Sequence, residues 1–491
     1  MLRNLWRVVW SRWRERPPCS TPDVVATAAD DRATMLDAGV AAALRGDHDA
    51  ALAFLERYTA LHPEVADGWN ALGNVTKLRG DLAGAALHYR KALDLEPGAA
   101  GVWSNLGRCL RSEGRTTEAL AALERALELD PGNPDAVVTR AGALSDCARY
   151  EEAEAGLKSL LAEHPVHAQA HAMLAHVLLL NGRFADGWDQ FEWRWRLPDA
   201  EPRAPLAIPE WDGTPAPDAL LLICAEQGLG DQIMLASCIP DASARVGECW
   251  LECDPRLVPL FARSFPAVRV FPRVAAGPPA WAAAGRTPDF QIVFGSLPLL
   301  LRRRLEDFPP PRAYLRADTV RVARWRARLA GLGTGPCIGI SWRGGGPTTR
   351  GRLRSIPLQQ WVPILGRENA TFVNLQYGPC EQELSALHTS LGGTKVHEFP
   401  EAISDYEETV ALVAALDGVI SVQTAVAELA GALGCPTWIL LSASPGYRYL
   451  ASGDSMVWYP SARLFRQQRL GDWCPVIDAV ARRLDAGFGD A

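Results

Sequence analysis

Residues 224–235, CAEQGLGDQIML, place two glycines and a carboxylate where a short apolar run gives way to a helical pattern. The run ALLLICA at 219–225 predicts a buried parallel strand, and the pattern after it favours a helix. Gly228 and Gly230 therefore lie in a strand-to-helix turn, where backbone amides can hold an anion. Asp231 would repel a phosphate there, but it could accept a proton from an attacking hydroxyl. Asp231 is thus a candidate general base, and helix N-capping is the structural alternative.

Two observations narrow the chemistry of this turn. It is not a dinucleotide fingerprint, because Gly228-x-Gly230-x-x ends on Ile233 instead of a third Gly or Ala. All nine histidines lie at or before His176 or at His388 and His397, so the segment around the turn has none. Any base that this segment supplies is therefore predicted to be a carboxylate.

A second strand-to-helix turn lies in SVQTAVAELAGALGCPTWILL at 421–441. The strand DGVISV leads into a helix opened by Thr424. Thr424, Ala425 and Val426 would present free backbone amides and a hydroxyl to a phosphate group.

Short apolar strands alternate with helical stretches through the second half of the chain, a pattern that predicts parallel sheets. Nine strands are predicted: ALLLICA, ECWLEC, VRVFP, FQIVFGS, PCIGISW, TFVNLQYG, KVHEFP, DGVISV and PTWILL. We divide them into two Rossmann-like lobes, 218–325 and 326–491, with a break near 310–335. A ligand would bind in the cleft outside the carboxyl ends of the strands.

The first half of the chain repeats every 34 residues. The prolines that mark this period are Pro63, Pro97, Pro131 and Pro165. The segment Trp69-x2-Leu72-Gly73 returns as Trp103-x2-Leu106-Gly107. This pattern resembles the tetratricopeptide repeat over residues 32–197, about five units, followed by a Pro-rich linker at 198–217. The array is predicted to bind an extended peptide or partner protein in its groove, with a spacer or a dimerisation surface as the alternative.

The composition excludes several classes of function. A formal net charge of −7 over 491 residues argues against a nucleic-acid binder. The 11 cysteines lack CxxC spacing, which indicates reduced thiols in a cytoplasmic protein. His167 and His171 have chelating spacing, but without an acidic or thiol partner nearby we predict no metal site.

The N-terminal segment 1–31 is basic and rich in tryptophan. Trp6, Trp10 and Trp13 fall at helical spacing among arginines, which suits residues 1–18 to a peripheral helix on an anionic inner-membrane surface. A docked or frayed terminal helix is the other interpretation.

Several blocks in order resemble the bacterial tetratricopeptide-repeat glycosyltransferases whose catalytic half is similar to the lipopolysaccharide heptosyltransferases. These blocks are EQGLGD, GISWRGG with RSIPL, FVNLQYG, the 421–441 segment, WYPSARLFRQQRLGDW and GWDQFEWRWR. The resemblance implies an α-solenoid followed by a GT-B fold of two Rossmann-like lobes, with the acceptor on the first and a nucleotide-sugar donor on the second. It implies neither a cofactor nor a structural metal.

The resemblance also assigns roles to residues. Asp231 matches the carboxylate that deprotonates the acceptor, and Arg354 matches a basic residue on the donor phosphates; a surface salt bridge is the alternative for Arg354. Thr424 and Ala425 match the diphosphate-binding turn. The residues implied near the nucleoside are Gln376, Tyr377 and Glu381.

Two positions depart from the family pattern. Gln423 stands where relatives have Asp, and Glu428 where they have His. A buried, unpaired carboxylate at 428 should weaken diphosphate binding unless Arg343 or Arg448 neutralises it.

The sequence thus predicts an inverting, metal-independent glycosyltransferase whose repeats recruit a protein or glycan-assembly partner. A scaffold with a degenerate transferase half is the main alternative, and a sugar-nucleotide epimerase of similar two-lobed build is a weaker one.

Overall fold

The computed structural model describes residues 28–198, 200, 206–308, 313–333, 335–346, 350–393 and 396–488. The prediction of a membrane-surface helix at 1–18 lies outside these residues. The chain divides into two compact units, Met1–Val177 with Trp193–Arg203, and Leu178–Glu192 with Ala204–Ala491. The predicted fold class, a helical repeat array followed by an α/β region with parallel sheets, is confirmed.

Paired helices run through the repeat region, and the last of them is shorter than the others. They are α1 (Ala28–Leu44), α2 (His48–Leu61), α3 (Ala66–Leu78), α4 (Leu82–Leu95), α5 (Ala100–Glu113), α6 (Thr116–Leu129), α7 (Pro134–Asp146), α8 (Tyr150–Glu163), α9 (Ala168–Leu180) and α10 (Phe184–Phe191).

The recurring spacing of small and large residues reflects how the two helices of a repeat touch. A Cβ added at Gly73 would stand 2.7 Å from the Tyr89 ring, and one at Gly107 would stand 2.5 Å from Leu123. Both large side chains are fully buried, so the helices can approach this closely only where one of them carries glycine.

A side chain to backbone hydrogen bond recurs with the same period. Trp69 and Trp103 each donate through Nε1 to the carbonyl of the proline that ends the preceding repeat, at 2.9 Å. His171 stands at the equivalent position, and its Nε2 lies 3.0 Å from the Pro165 carbonyl oxygen. His167 accepts the Ala170 amide at 3.2 Å. Both histidines thus make hydrogen bonds within the repeat array.

Two parallel sheets form the framework of the second unit. The strands of the first sheet are β1 (Ala216–Cys224), β2 (Val246–Cys253), β3 (Val268–Pro272) and β4 (Phe290–Val293). Those of the second are β5 (Cys337–Ser341), β6 (Thr371–Asn374), β7 (Val396–His397), β8 (Gly418–Val422), β9 (Thr437–Leu441) and β10 (Ala462–Arg466).

Helices connect these strands. They are α11 (Leu229–Leu235), α12 (Ile239–Ser243), α13 (Val258–Ser264), α14 (Leu297–Leu301), α15 (Thr319–Leu329), α16 (Val362–Leu365), α17 (Glu381–Leu391), α18 (Pro400–Ser404), α19 (Tyr406–Ala415), α20 (Ala425–Ala432) and α21 (Cys474–Asp485).

The strand order is that of nucleotide-binding folds. The first sheet reads β3-β2-β1-β4, and the second reads β10-β9-β8-β5-β6-β7. Both orders reverse direction once, between β1 and β4 and between β8 and β5. The central strands β5, β8 and β9 are buried at every residue, which explains their continuous apolar runs.

The second sheet holds one strand more than the sequence predicted for it. Strand β10 pairs with β9 at the edge of the sheet and contains Arg463 and Arg466. Because an edge strand does not need apolar residues at every position, its sequence ARLFR lacks the run by which the other strands were found.

The segment predicted as a linker at 198–217 partly joins the second unit. Trp211 is buried and its amide donates to the Gln291 carbonyl at 2.8 Å. Strand β1 begins at Ala216, within the predicted linker. The last predicted repeat is also divided, because 178–192 packs with the second unit.

Candidate functional site

The strand order of each sheet reverses at one point. Ligands of open α/β sheets bind outside the carboxyl ends of the strands at such points. In the first sheet this is the loop after β1, which contains Glu226, and the start of α11, which contains Asp231. In the second it is the loops after β5 and β8, where the chain at Gly344 lies directly against the Gln423 carbonyl oxygen.

The loop after β1 is a strained turn that leads into α11. Gln227 has a φ of +63°, a left-handed conformation uncommon for a residue with a side chain. Gly228 is the N-cap residue and makes no side-chain cap, so the alternative interpretation of Asp231 as N-cap is wrong. Asp231 instead lies in the first turn of the helix, where a carboxylate is stabilised by the helix dipole.

The two lobes touch where α11 meets α20. A Cβ added at Gly230 would lie 3.3 Å from Ala425 Cα and 3.4 Å from Glu428 Cγ. Glycine at 230 therefore permits the two helix N-termini to approach each other, and it brings both predicted turns to one place.

An arginine bridges two carboxylates across this contact. Arg448 donates from Nη2 to Asp231 Oδ1 and from Nη1 to Glu428 Oε1, the latter at 3.1 Å. Tyr449 also donates its hydroxyl to Glu428 Oε1, at 3.0 Å. The exposed fractions of the three charged side chains are 18% for Arg448, 26% for Asp231 and 4% for Glu428. Arg448 is thus the cation that pairs with Glu428, one of the two arginines that the sequence analysis proposed for this role.

Burial controls the electrostatics of this cluster. It raises the pKa of Glu428, an effect that the Arg448 charge opposes. The pKa of Arg448 lies well above its ordinary value because the charges of Asp231 and Glu428 outweigh its own burial.

Arg343, the other proposed partner of Glu428, lies elsewhere. Its Nη2 donates to the Pro379 carbonyl at 2.6 Å, and its Nε lies 3.2 Å from Glu383 Oε2. The predicted neutralisation of Glu428 by Arg343 is therefore wrong.

Arg354 joins the cluster from the turn that follows β5. Burial lowers its pKa, and the charges of Arg448 and Arg350 lower it further. Tyr449 and Asp231 act in the opposite direction. Arg448 bonds to Asp231, and Arg354 interacts electrostatically with Asp231, Arg448 and Arg350. Such a concentration of positive charge suits a diphosphate.

Thr424 and Gln423 occupy the turn before α20. Thr424 is the N-cap: its hydroxyl accepts the Ala427 amide at 3.3 Å and lies 2.8 Å from Ser421 Oγ. Both polar side-chain atoms of Gln423 are buried and have no hydrogen-bond partner within the described part of the chain. Buried polar atoms normally have hydrogen-bond partners, so these two atoms distinguish the turn before α20.

The residues implied near the nucleoside lie after β6. Gln376 Oε1 accepts the amides of Trp342 at 3.0 Å and Arg343 at 2.8 Å, so this side chain ties the β6 loop to the β5 loop. Tyr377 is half-exposed and its hydroxyl lies 3.0 Å from Thr409 Oγ1. Glu381 is exposed at the start of α17 and accepts the Cys380 amide at 3.0 Å.

The structure adds two residues that the sequence interpretation missed. Tyr449 binds Glu428, as described above. Glu226 is buried, and its Oε2 accepts the Gly295 amide at 3.0 Å, which joins the loops after β1 and β4. Glu226 is the first residue of the EQGLGD segment, five positions before Asp231, and this position was the sequence signal that could have identified it.

Two further findings concern membrane-spanning helices and metal sites. Within the described ranges, no helix is both long and apolar enough to cross a membrane. Those same ranges contain no group of three or more His, Cys, Asp or Glu side chains that could hold a metal ion.

Models of the tetratricopeptide repeat match residues 36–100, 71–134 and 110–177, so the N-terminal part of the chain consists of these repeats. Protein FlbA of Caulobacter vibrioides is 35% identical over 362 residues, which cover 70% of this chain and 58% of that protein. The chain therefore matches less than two thirds of this relative's length.

Solved structures of tetratricopeptide-repeat proteins are similar to part of the chain. A thermophilic TPR protein of Thermus thermophilus is 22% identical, with a TM-score of 0.31, and the match covers 34% of this chain and 90% of that one. PilF of Pseudomonas aeruginosa is 21% identical, with a TM-score of 0.31, over 33% of this chain and 76% of its own.

Proposed function

We propose that the second unit is a glycosyltransferase that moves a sugar from a nucleotide-sugar donor to an acceptor hydroxyl, and that the tetratricopeptide repeats recruit a protein partner. One observation carries the proposal: the switch points of two nucleotide-type sheets meet, so that Asp231 of one lobe contacts Arg448 of the other. Repeats of this type support a role in protein interaction.

In the proposed mechanism, the donor diphosphate binds at the N-terminus of α20, where Arg354 adds positive charge. Asp231 accepts the proton of the acceptor hydroxyl, and the hydroxyl oxygen attacks the anomeric carbon of the sugar. The bond from that carbon to the diphosphate breaks, and the nucleoside diphosphate leaves with the electron pair. A single displacement of this kind inverts the anomeric configuration.

Arg448 contacts Asp231 through Oδ1, so Oδ2 of the same carboxylate remains to accept the proton of the acceptor hydroxyl. The donor diphosphate would attract Arg448 as well, so donor binding would weaken the contact of Arg448 with Asp231.

Calorimetry with ADP-, GDP- and UDP-sugars, followed by a transfer assay, tests the proposal. We expect one donor class to bind, and Asp231→Asn to retain donor binding while transfer falls by about 100-fold or more, the usual contribution of a general base. Asp218→Asn, at an exposed aspartate of β1, is the matched control and should transfer normally.

A second function is a scaffold whose transferase half no longer reacts, and the ion bridge that occupies Asp231 favours it. If no nucleotide binds the natural chain but Glu428→His restores binding, the scaffold explanation replaces the transferase. Transfer by Asp231→Asn at the natural rate would remove Asp231 from the mechanism.

A further inference from the structure

The segment between β9 and β10 carries the guanidinium that bridges the two lobes. One turn of 3-10 helix, Tyr447–Tyr449, presents Arg448 to Asp231 and to Glu428. The chain leaves this turn through Leu450 and returns to the sheet at β10. The position of the Arg448 guanidinium therefore depends on how the backbone of this segment is held.

Leu450 has a backbone conformation that leucine rarely adopts. Its φ is +56° and its ψ is 171°. Dihedral angles of this kind belong to the part of φ/ψ space that glycine alone occupies readily, because a Cβ atom meets the neighbouring peptide groups there. The Leu450 side chain is half-buried against the core of the second unit. Contacts of the surrounding chain must therefore impose the backbone conformation.

Arg466, the last residue of β10, supplies these contacts. Its Nη2 donates to the carbonyl oxygens of Tyr449 at 2.5 Å and Ser452 at 3.2 Å. Its Nη1 donates to the Leu450 carbonyl at 3.0 Å, and its Nε to the Gly453 carbonyl at 2.6 Å. The Tyr449 and Leu450 carbonyls belong to the peptide groups on either side of Leu450. The hydrogen bonds to these two carbonyls thus fix both dihedral angles of that residue.

Four carbonyl oxygens that converge on one point require a donor with positive charge. A guanidinium has five N–H donors in a planar fork and can serve several acceptors at once. Without Arg466 the four oxygens would face one another, and a strained conformation persists only where its surroundings over-determine it. We therefore expect Leu450 to relax when Arg466 is removed, and the turn that carries Arg448 to move with it.

A second arginine of β10 provides a matched comparison. Arg463 Nη2 lies 3.6 Å from Asp454 Oδ2, and the two side chains are 40% and 71% exposed. An ion pair so exposed contributes little to stability. Arg463 therefore lies on the same strand and contacts the same segment as Arg466, but its side chain is not bonded to the carbonyls beside Leu450.

We propose that Arg466 is a positioning residue: by holding Leu450 in its strained conformation, it places the Arg448 guanidinium between Asp231 and Glu428, where the diphosphate of a nucleotide-sugar would bind. The ligand named here rests on the proposed function, whereas the effect of Arg466 on Leu450 and Arg448 does not. An arginine that only closed the connection from β9 to β10 would stabilise the segment without acting through Arg448.

Scanning calorimetry of the full chain tests the strain at Leu450. Leu450→Ala and Leu450→Gly both remove the leucine packing and differ only in the Cβ atom. In the transition that Leu450→Ala lowers, we expect Leu450→Gly to unfold about 2 °C or more above Leu450→Ala, because glycine adopts a positive φ without strain. With Arg466→Met added to each variant, this advantage of glycine should disappear.

Two results of this comparison would overturn the proposal. If Leu450→Ala is as stable as Leu450→Gly in the chain that retains Arg466, the leucine backbone is not strained. If glycine keeps its advantage beside Arg466→Met, the strain has a source other than Arg466.

Titration calorimetry with the nucleotide-sugar that binds tests the effect on Arg448. Arg466→Met should weaken donor binding by about 10- to 100-fold, the loss expected for one charge-assisted hydrogen bond. The double variant Arg466→Met/Arg448→Met should bind no more weakly than Arg448→Met, because both changes remove the same contact. Arg463→Met should bind normally. Equal donor affinity of Arg466→Met and the natural chain would show that Arg466 does not position Arg448.

Unfolding measurements separate this inference from the proposed function. If no nucleotide-sugar binds the natural chain, the proposed function fails, and the coupling of the two arginines still decides the role of Arg466. Arg466→Met should lower the unfolding midpoint less in the Arg448→Met chain than in the natural one, because the ion bridge is already absent. Equal losses in both chains would reject the positioning role. Should Arg466→Met not fold, Arg466→Lys replaces it in each comparison, since an ammonium group keeps the charge but lacks the planar fork.

Discussion

At the scale of single residues, the main feature of the second unit is one guanidinium that donates hydrogen bonds to two carboxylates. Arg448 and Asp231 are 217 positions apart, and Glu428 comes from a third segment. The sequence singled out each of these residues through its local turn or its departure from a family pattern. The pairing of Arg448 with Glu428 was one of two alternatives that the sequence offered. The contact of Arg448 with Asp231 was not predicted, because nothing local specifies which arginine reaches a carboxylate on the other lobe.

Removing the shared cation should destabilise the second unit. Arg448→Met leaves Glu428 buried with the Tyr449 hydroxyl but no cation beside it, and breaking a buried ion pair from one side costs about 3–5 kcal/mol. The double variant Arg448→Met/Glu428→Gln should recover much of this loss, because no buried charge then lacks a partner. Urea unfolding measures both free energies.

The matched control for that experiment is Arg469→Met, at an exposed arginine. It should change the free energy of unfolding by less than about 0.5 kcal/mol, as is usual for surface substitutions. Equal stability of Arg448→Met and the natural chain would contradict the ion bridge.

At the scale of secondary-structure elements, the sequence predicted the helical repeats better than the edges of the sheets. The repeat of 34 residues places a small residue, glycine or alanine, at one position of each unit. At Gly73 the structure shows this small residue against the large side chain of Tyr89. Strand β10 was missed because it lies at an edge and carries Arg463 and Arg466. Only Ala462 and Leu464 of this five-residue strand are buried, so its apolar pattern is too short to identify it.

Two glycines in α5 provide a prediction with an internal control. Gly107→Ala would force a methyl group to within 2.5 Å of Leu123 and 3.2 Å of the Ala119 carbonyl oxygen, and should cost about 1–3 kcal/mol. Gly101→Ala meets nothing within 4 Å and should gain up to about 1 kcal/mol from helix propensity. Opposite signs in thermal or urea unfolding are expected, and a shared sign would show that helix propensity alone decides both.

At the scale of the whole molecule, the second unit is one compact body built from two sheets, and the contact of α11 with α20 joins their switch points. The sequence predicted two lobes and a cleft from alternating strands and helices. The sequence did not predict that α11 packs against α20, because this contact depends on how each sheet twists and packs. Gly230 lies at this contact, where a side chain larger than a methyl group would press against the backbone of α20.

A graded series at Gly230 tests whether this contact holds the lobes in register. Gly230→Ala places a methyl group 3.3 Å from Ala425 Cα, a tight but tolerable distance, and should change stability little. Gly230→Val adds two methyl groups at the same point and must push α11 away from the backbone of α20, at a cost of about 1–3 kcal/mol. The displacement also separates Asp231 from Arg448, so donor binding and transfer should fall in the order natural chain, Ala, Val. Equal stability and equal donor affinity across the series would show that the two helices do not pack together, and the proposed catalytic cleft would lose its geometric basis.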